Sequence, residues 1–282
     1  SFNINFSHNV GKAMALTDEV DKIVQAAPGE DASIQARVGE KMGAIYGPGY
    51  QRVPDGSMKG QVIIFSDGAP APTTEDIYLG NLNPDWIGSI YNKLSYKNFN
   101  LSFLIGGQYG GRFISRFYNK AVGAGEMEES ALGRAARTPG KEYDEPYYIP
   151  GAAKMTDGSY QPNSTSTDGT FSTGVYGTNV RYFIKKPLDH ISEAQLFDAT
   201  YFKLRELTIG YNLPSAWLGR NFIKSARFSL TGRNLLLWTP KSNQHFDPEV
   251  ATATSGNGLI PGFENMSTPG TKEMGASLNI NF

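Results

Sequence analysis

Apolar and polar residues alternate with a period of two in several stretches of the chain. "KEMGASLNINF" at 272–282 places Met274, Ala276, Leu278, Ile280 and Phe282 on one parity, with Gly275, Ser277, Asn279 and Asn281 between them. "SFNINFSHN" at 1–9 opposes Phe2, Ile4 and Phe6 to Asn3, Asn5 and Ser7. "DWIGSIYNKLSYK" at 85–97 sets Trp86, Ile90, Leu94 and Tyr96 mostly against Ser89, Lys93, Ser95 and Lys97, and "NFNLSFLI" at 98–105 sets Phe99, Leu101, Phe103 and Ile105 against Asn98, Asn100 and Ser102. "ARFSLTGRNLLLW" at 226–238 opposes Phe228 and Leu230 to Arg227, Ser229 and Thr231. In "TYFKLRELTIGY" at 200–211, Leu207, Ile209 and Tyr211 share a parity, yet Lys203 and Arg205 precede them on it. With "EKMGAIYGPGYQRV" at 40–53, the pattern predicts about seven long strands.

Strands of about ten residues exceed the usual five or six and match the length needed to cross a bilayer at a tilt. Their polar rows of Asn, Ser, Thr, Lys and Arg suit a wet lumen better than a dry core. Tyr and Phe near the strand ends ("AIYGPGY", "QYGGRF", "LLLWT") predict aromatic girdles at two membrane interfaces. Short reversals at 97–98 and 212–225 alternate with long connections at about 109–197 and 239–271, the asymmetry of an outer-membrane barrel with long extracellular loops. Within 17–27, Val20, Ile23, Val24 and Ala27 are spaced for a short amphipathic helix. A second helix, weakened by glycines, is expected within 120–137, and 156–179 reads as turn-rich. The fold class expected is all-β, a transmembrane antiparallel barrel.

Composition narrows the function. The 282 residues carry 26 Lys+Arg against 27 Asp+Glu, so nothing suggests the basic face that nucleic acid requires. Cysteine is absent and the three histidines are scattered, which leaves no metal site and no cofactor to expect. Aromatics reach 12 %, charged residues only 19 %, and the mean hydropathy is −0.36, as a lipid-facing apolar row backed by a wet polar row produces. No apolar run approaches the roughly 20 residues of a membrane-spanning helix.

Catalytic chemistry finds no support: no nucleophile, carboxylate pair or HExxH motif stands out, and an enzyme is not expected. "GGQYGG" at 106–111 follows a strand, but no GK[ST] and no convincing helix come after it, so its glycines are assigned to a bend or close backbone approach. "HFDPEV" at 245–250 gathers His245, Asp247 and Glu249 around a proline, without a second histidine at ligand spacing. These three, Trp238, and the tyrosines Tyr143, Tyr147, Tyr148 and Tyr160 are the candidate contacts for a ligand or partner, because tyrosine faces offer apolar area with a hydroxyl. Two other architectures share the alternation. A self-contained small barrel or adhesin needs at least eight closing strands, and a secreted β-sandwich glycan-binding module needs its apolar faces packed in a dry core.

Longer motifs then resemble one family. "YLGNLNPDWIGSIYNKLSYKNFNLSFLIGGQYGG", "DATYFKLRELTIGYNLP", "ARFSLTGRNLLLWT" followed by "DPE", and "GEKMGAIYGPGY" are similar, in order, to strand motifs of the SusC/RagA family of TonB-dependent outer-membrane transporters. The resemblance covers essentially the whole chain and departs in the long loops. It implies a barrel of about 22 strands, of which about seven lie here, so that 1–282 is the carboxyl-terminal portion and the plug domain, the TonB-contacting segment and the earlier strands lie outside it. It implies a nutrient importer of the Gram-negative outer membrane, surrounded by lipid, taking up oligosaccharide or peptide under a SusD-like surface lipoprotein and driven by the TonB complex. A dimer of transporter–lid pairs is the family expectation. The loops would touch lid and ligand, and the closing strand, with Leu278, Ile280 and Phe282, would be the signal read by barrel-assembly machinery through edge pairing.

Overall fold

A computed structural model describes all residues except 18, 30, 132–147, 164–178, 219–221, 256–257 and 267. Its largest element is a six-stranded antiparallel meander, β1 (Phe2–Ser7), β2 (Trp86–Tyr96), β3 (Phe99–Tyr109), β4 (Tyr201–Asn212), β5 (Ser225–Trp238) and β6 (Glu273–Asn281), hydrogen-bonded in that order. The sheet is open, with β1 and β6 at its edges.

Register explains the binary pattern. Ile4 pairs with Ile90, Ile90 with Ile105, Ile105 with Leu204 and Leu204 with Leu236; farther along, Leu101 meets Ile209, Ile209 meets Leu230 and Leu230 meets Ala276. Directly opposed residues share a face, so the apolar rows of all six strands form one surface. Nothing in the described chain packs over it: Phe99 and Leu278 are each 58 % exposed, and the three hydrophobic cores lie elsewhere. Asn3, Asn5, Lys93, Ser102, Thr208, Arg227, Ser277 and Asn279 alternate onto the other face. The β-sandwich, which needs that apolar face covered, is not what these residues build.

Two aromatic rows border the apolar face. Phe6, Trp86, Tyr109, Phe202 and Trp238 run across one end with neighbouring ring centroids 5.7–6.0 Å apart. At the other end Phe99 and Tyr211 meet at 4.7 Å, beside Tyr96, while Phe222 and Phe282 meet at 4.8 Å.

The parity break in β4 is a β-bulge. Leu204 pairs with Ile105 but Glu206 with Leu104, which leaves Arg205 without an opposite number. One extra residue swaps the faces. Lys203 therefore lies with the polar row although it shares parity with Leu207. Gly106 makes room, since a Cβ there would stand 2.6 Å from Arg205 Nε.

The reversals at 97–98 and 213–224 lie at one end of the sheet and three long connections at the other. The long stretches expected at 109–197 and 239–271 are two of these; 8–85 is a third that the pattern did not reveal. Among the described residues they are not loose loops. They form a cap with short sheets and its own cores. One core joins Ile34, Ile45 and Leu79 of the first connection to Ile114 of the second and Phe263 of the third. A small sheet likewise takes Arg112–Ser115 and Leu196–Asp198 from the second connection and Phe263–Glu264 from the third.

Local expectations are corrected here. The amphipathic helix within 17–27 is absent: Lys22–Gly29 is a strand in a four-stranded sheet with Ala32–Arg37, Ala44–Gly47 and Ile77–Asn81. Its Ile23 and Val24 are β-branched, Pro28 disfavours a helix, and pairing to the next strand outweighs a short stripe of helical spacing. The strand expected over 40–53 shrinks to Ala44–Gly47, is buried throughout, and belongs to the cap. Six strands, not seven, make the main sheet. The helix expected within 120–137 begins earlier, as α1 (Arg116–Ala124): Ser115 accepts from Tyr118 N at 3.0 Å as its N-cap, and Gly125 in the left-handed region ends it. It packs against α2 (Asn179–His190). No helix among the described residues is long and apolar enough to cross a membrane.

Candidate ligand-facing site

The third long connection descends onto the polar face at the start of β4. Asp247-Pro248-Glu249 forms a single tight turn, in which Asp247 Oδ1 accepts from Glu249 N at 3.1 Å. Both carboxylates then point at the strand. Lys203 Nζ donates to Asp247 Oδ2 at 2.6 Å and to Glu249 Oε2 at 2.5 Å; Arg205 Nη2 lies 2.7 Å from Glu249 Oε1 and 3.3 Å from Tyr201 Oη. Lys203 is only 6 % exposed, so its charge depends on these partners. Burial pushes the Glu249 carboxyl up, but hydrogen bonds from Lys203 and Arg205 outweigh it and hold the group below its ordinary range.

His245, two residues before, faces away from this pair. Its ring stacks on Tyr118 at 5.9 Å and its Nε2 lies 2.8 Å from Glu129 Oε1. Burial pushes the Tyr118 phenol up to about 12, with Glu129 adding to the effect, so this hydroxyl stays protonated. Asn243, fully buried, donates to the carbonyls of Asp198 and Phe246 at 3.1 and 3.2 Å and fixes the loop from beneath. A hollow of about 340 Å³ opens beside the turn, lined by Lys203, Asn234, Gln244, His245, Asp247 and Lys272. Its charge is mixed, and what it offers is polar binding. Among the described residues no three metal-capable side chains converge.

Of the residues picked from sequence, Asp247 and Glu249 are brought together on Lys203, while His245 turns instead to Glu129 and Tyr118. Trp238 does not join them: it lies on the apolar face against Phe202 at 5.7 Å, in the aromatic row. Tyr160 packs against the core of Val53, Ile63, Ala71 and Ala152. Tyr148 is half-buried, and Tyr143 and Tyr147 lie outside the described residues. Leu278 and Ile280 stand on the exposed apolar face of β6, and Phe282 contacts Phe222. Lys203 and Arg205 complete the cluster and were not picked. Their trace in the sequence is the break in alternation that places two cations on a nominally apolar row.

Comparison with known proteins agrees with the fold. TonB-dependent receptor P3 of Formosa agariphila is 25 % identical over 99 % of this chain, and TonB-dependent receptor P26 of the same bacterium is 27 % identical over 74 %. The chain spans 26 % and 18 % of those two proteins. Among solved structures, the RagAB peptide transporter matches all of this chain with a TM-score of 0.58 at 16 % identity, over 27 % of its own length. The 'open-open' state of the RagAB peptide importer matches with 0.57 at 17 %, over 26 % of its length. No protein-family model matches. In sequence the chain is similar to TonB-dependent receptors, and its fold is similar to that of part of the RagAB peptide transporter.

Proposed function

We propose that these residues form the carboxyl-terminal strands and extracellular cap of a SusC-like TonB-dependent importer in a Gram-negative outer membrane. One observation carries the reading: an uncovered apolar face, bordered by aromatic rows at both ends and backed by a polar face. An 11-residue strand such as β3 rises about 36 Å, or about 25 Å along the membrane normal at a tilt near 45°, the height of an outer-membrane apolar band. Water would penalise that face; lipid is its solvent. The open edges at β1 and β6 pair, on this reading, with further strands of one polypeptide that also supplies the plug and the TonB contact.

The rest of the proposal follows the placement of the cap. The reversals at 97–98 and 213–224 face the periplasm, and the three connections face outward, where a SusD-like lipoprotein closes over a peptide or oligosaccharide. The RagAB neighbours are named for peptide transport, which favours peptide. Transporter–lid pairs assemble as dimers.

A denaturing gel of detergent-solubilised outer membranes, probed with an antibody to 120–137, tests this. A band several times heavier than 30.8 kDa, co-purifying with a lipoprotein and supporting TonB-dependent uptake, is expected. A 30.8 kDa band alone, without other barrel fragments, would overturn the proposal.

A further inference from the structure

Where β1 ends and β2 begins, the cap holds a groove of two adjoining hollows. One of about 330 Å³ lies against Lys41, Asn83 and Asp85, and one of about 400 Å³ against Arg52, Glu193 and Leu196; Tyr78 and Arg112 line both. Nearly every charge along it is engaged. Arg52 Nη2 is 2.7 Å from Glu193 Oε1, while Glu193 Oε2 accepts from Tyr50 N at 2.8 Å. Lys41 and Asp85 form a looser exposed pair at 3.7 Å. Asp198, the cross-strand neighbour of Arg112, turns to Thr200 N at 2.9 Å and Ser242 Oγ at 3.4 Å.

Arg112 is the exception. It is half-buried, yet among the described residues its guanidinium has no hydrogen bond and no ion pair. Its stem is held: a Cβ on Gly80 would stand 2.7 Å from Arg112 Cγ, so the glycine lets the side chain lie across the neighbouring strand. Tyr78, 54 % exposed, is steadied edge-on against Tyr46 at 5.7 Å, and the Arg37 guanidinium lies over the Tyr46 ring at 3.6 Å. A positioned aromatic wall and a positioned cation without an anion thus face one groove.

We infer that this groove binds a carboxylate-bearing ligand, with Arg112 as its bidentate anchor and Tyr78 as a wall. The guanidinium fork matches the two oxygens of a carboxylate, and partial burial shields the contact from salt. Hollows of a few hundred Å³ fall within the range of small-ligand sites. The carboxylate belongs either to a peptide end or acidic side chain, or to a uronate unit of an acidic glycan; the anchor chemistry is the same. The inference goes beyond the import reading and concerns binding alone, so the two fail separately.

The test is titration of the intact, detergent-solubilised protein with an acidic tripeptide and with a galacturonate trisaccharide. Each is paired with its uncharged amide or methyl ester. At least one charged probe is expected to bind roughly 10-fold or more tightly than its neutral form, as loss of a charge-assisted hydrogen bond implies. Arg112→Gln should abolish that preference and Arg112→Lys should keep part of it; whichever probe binds identifies the source. Absence of binding by both charged probes, equal binding of charged and neutral forms, or a preference that survives Arg112→Gln overturns the inference. If Arg112→Gln does not assemble, the charged-to-neutral ratio of the unaltered protein decides.

Discussion

Lys203 shows what a single residue contributes at the junction of strand and cap. A buried ammonium is tolerable only while Asp247 and Glu249 answer it. Lys203→Met alone strands Asp247 and leaves Glu249 only Arg205, whereas Lys203→Met with Asp247→Asn and Glu249→Gln removes both carboxylate charges along with the buried ammonium. The single variant should therefore loosen 239–272 more than the triple, by about 1–3 kcal/mol, and limited proteolysis of this connection should show it. The same clip gives a pH dependence. The folded-state pKa of Glu249 is depressed, so its stabilisation is complete above the ordinary carboxylate range and fades as pH falls through the lower folded value. Protease resistance of the connection should be level from pH 7 to about 5 and should fall below about pH 4. A rise in resistance on acidification would contradict this assignment. His245, Asp247 and Glu249 were legible as a polar group because they are close in sequence. Lys203 was not, because its partners lie more than forty residues away.

At the scale of elements, alternation identified the strands of the main sheet well and the cap poorly, for one physical reason. Period-2 patterning arises only when a strand has two unlike faces. The strands β1–β6 have lipid-suited and polar faces, and all of them were visible. Ala44–Gly47 and Ile63–Ile64 are short and buried on every side, so the first reads as part of a longer strand over 40–53 and the second does not read as a strand at all. The opposite error occurred at 17–27, where three of the four apolar residues at helical spacing, Ile23, Val24 and Ala27, belong to a paired strand whose Ile23 and Val24 stay exposed. Facing itself is testable. Leu230 sits near mid-strand on the apolar face and Ser277 on the polar face of its neighbour. Leu230→Arg should destabilise the membrane-embedded protein by about 2–4 kcal/mol, while Ser277→Arg should cost close to nothing. Urea unfolding in lipid vesicles measures both, and equal costs would mean that the faces are misassigned.

For the whole molecule, the decisive question is what meets the two sheet edges. Unpaired strand edges are not tolerated in lipid, so on the proposed membrane reading β1 and β6 must find partners. A small closed barrel would join them to each other; a larger one would insert further strands between them. The chain contains no cysteine of its own, which makes engineered pairs readable on this segment. Ser229 and Ser277 are cross-strand partners on β5 and β6. Cysteines at these two positions should bridge on oxidation and serve as the positive control, since bridging needs Cα atoms within about 7 Å. Asn5 on β1 and Asn279 on β6 occupy the polar faces of the two edge strands. Cysteines at Asn5 and Asn279 should not bridge in the native outer membrane if other strands separate them. Scanning the second position along the polar face of β6, at Glu273, Gly275, Ser277 and Asn281 as well, covers the registers in which Asn5 can meet it. A bridge at any of these, formed as readily as the control, would mean that six strands and their loops close on themselves. The plug, the TonB contact and import would then fall together, while the uncovered apolar face and its aromatic rows would stand.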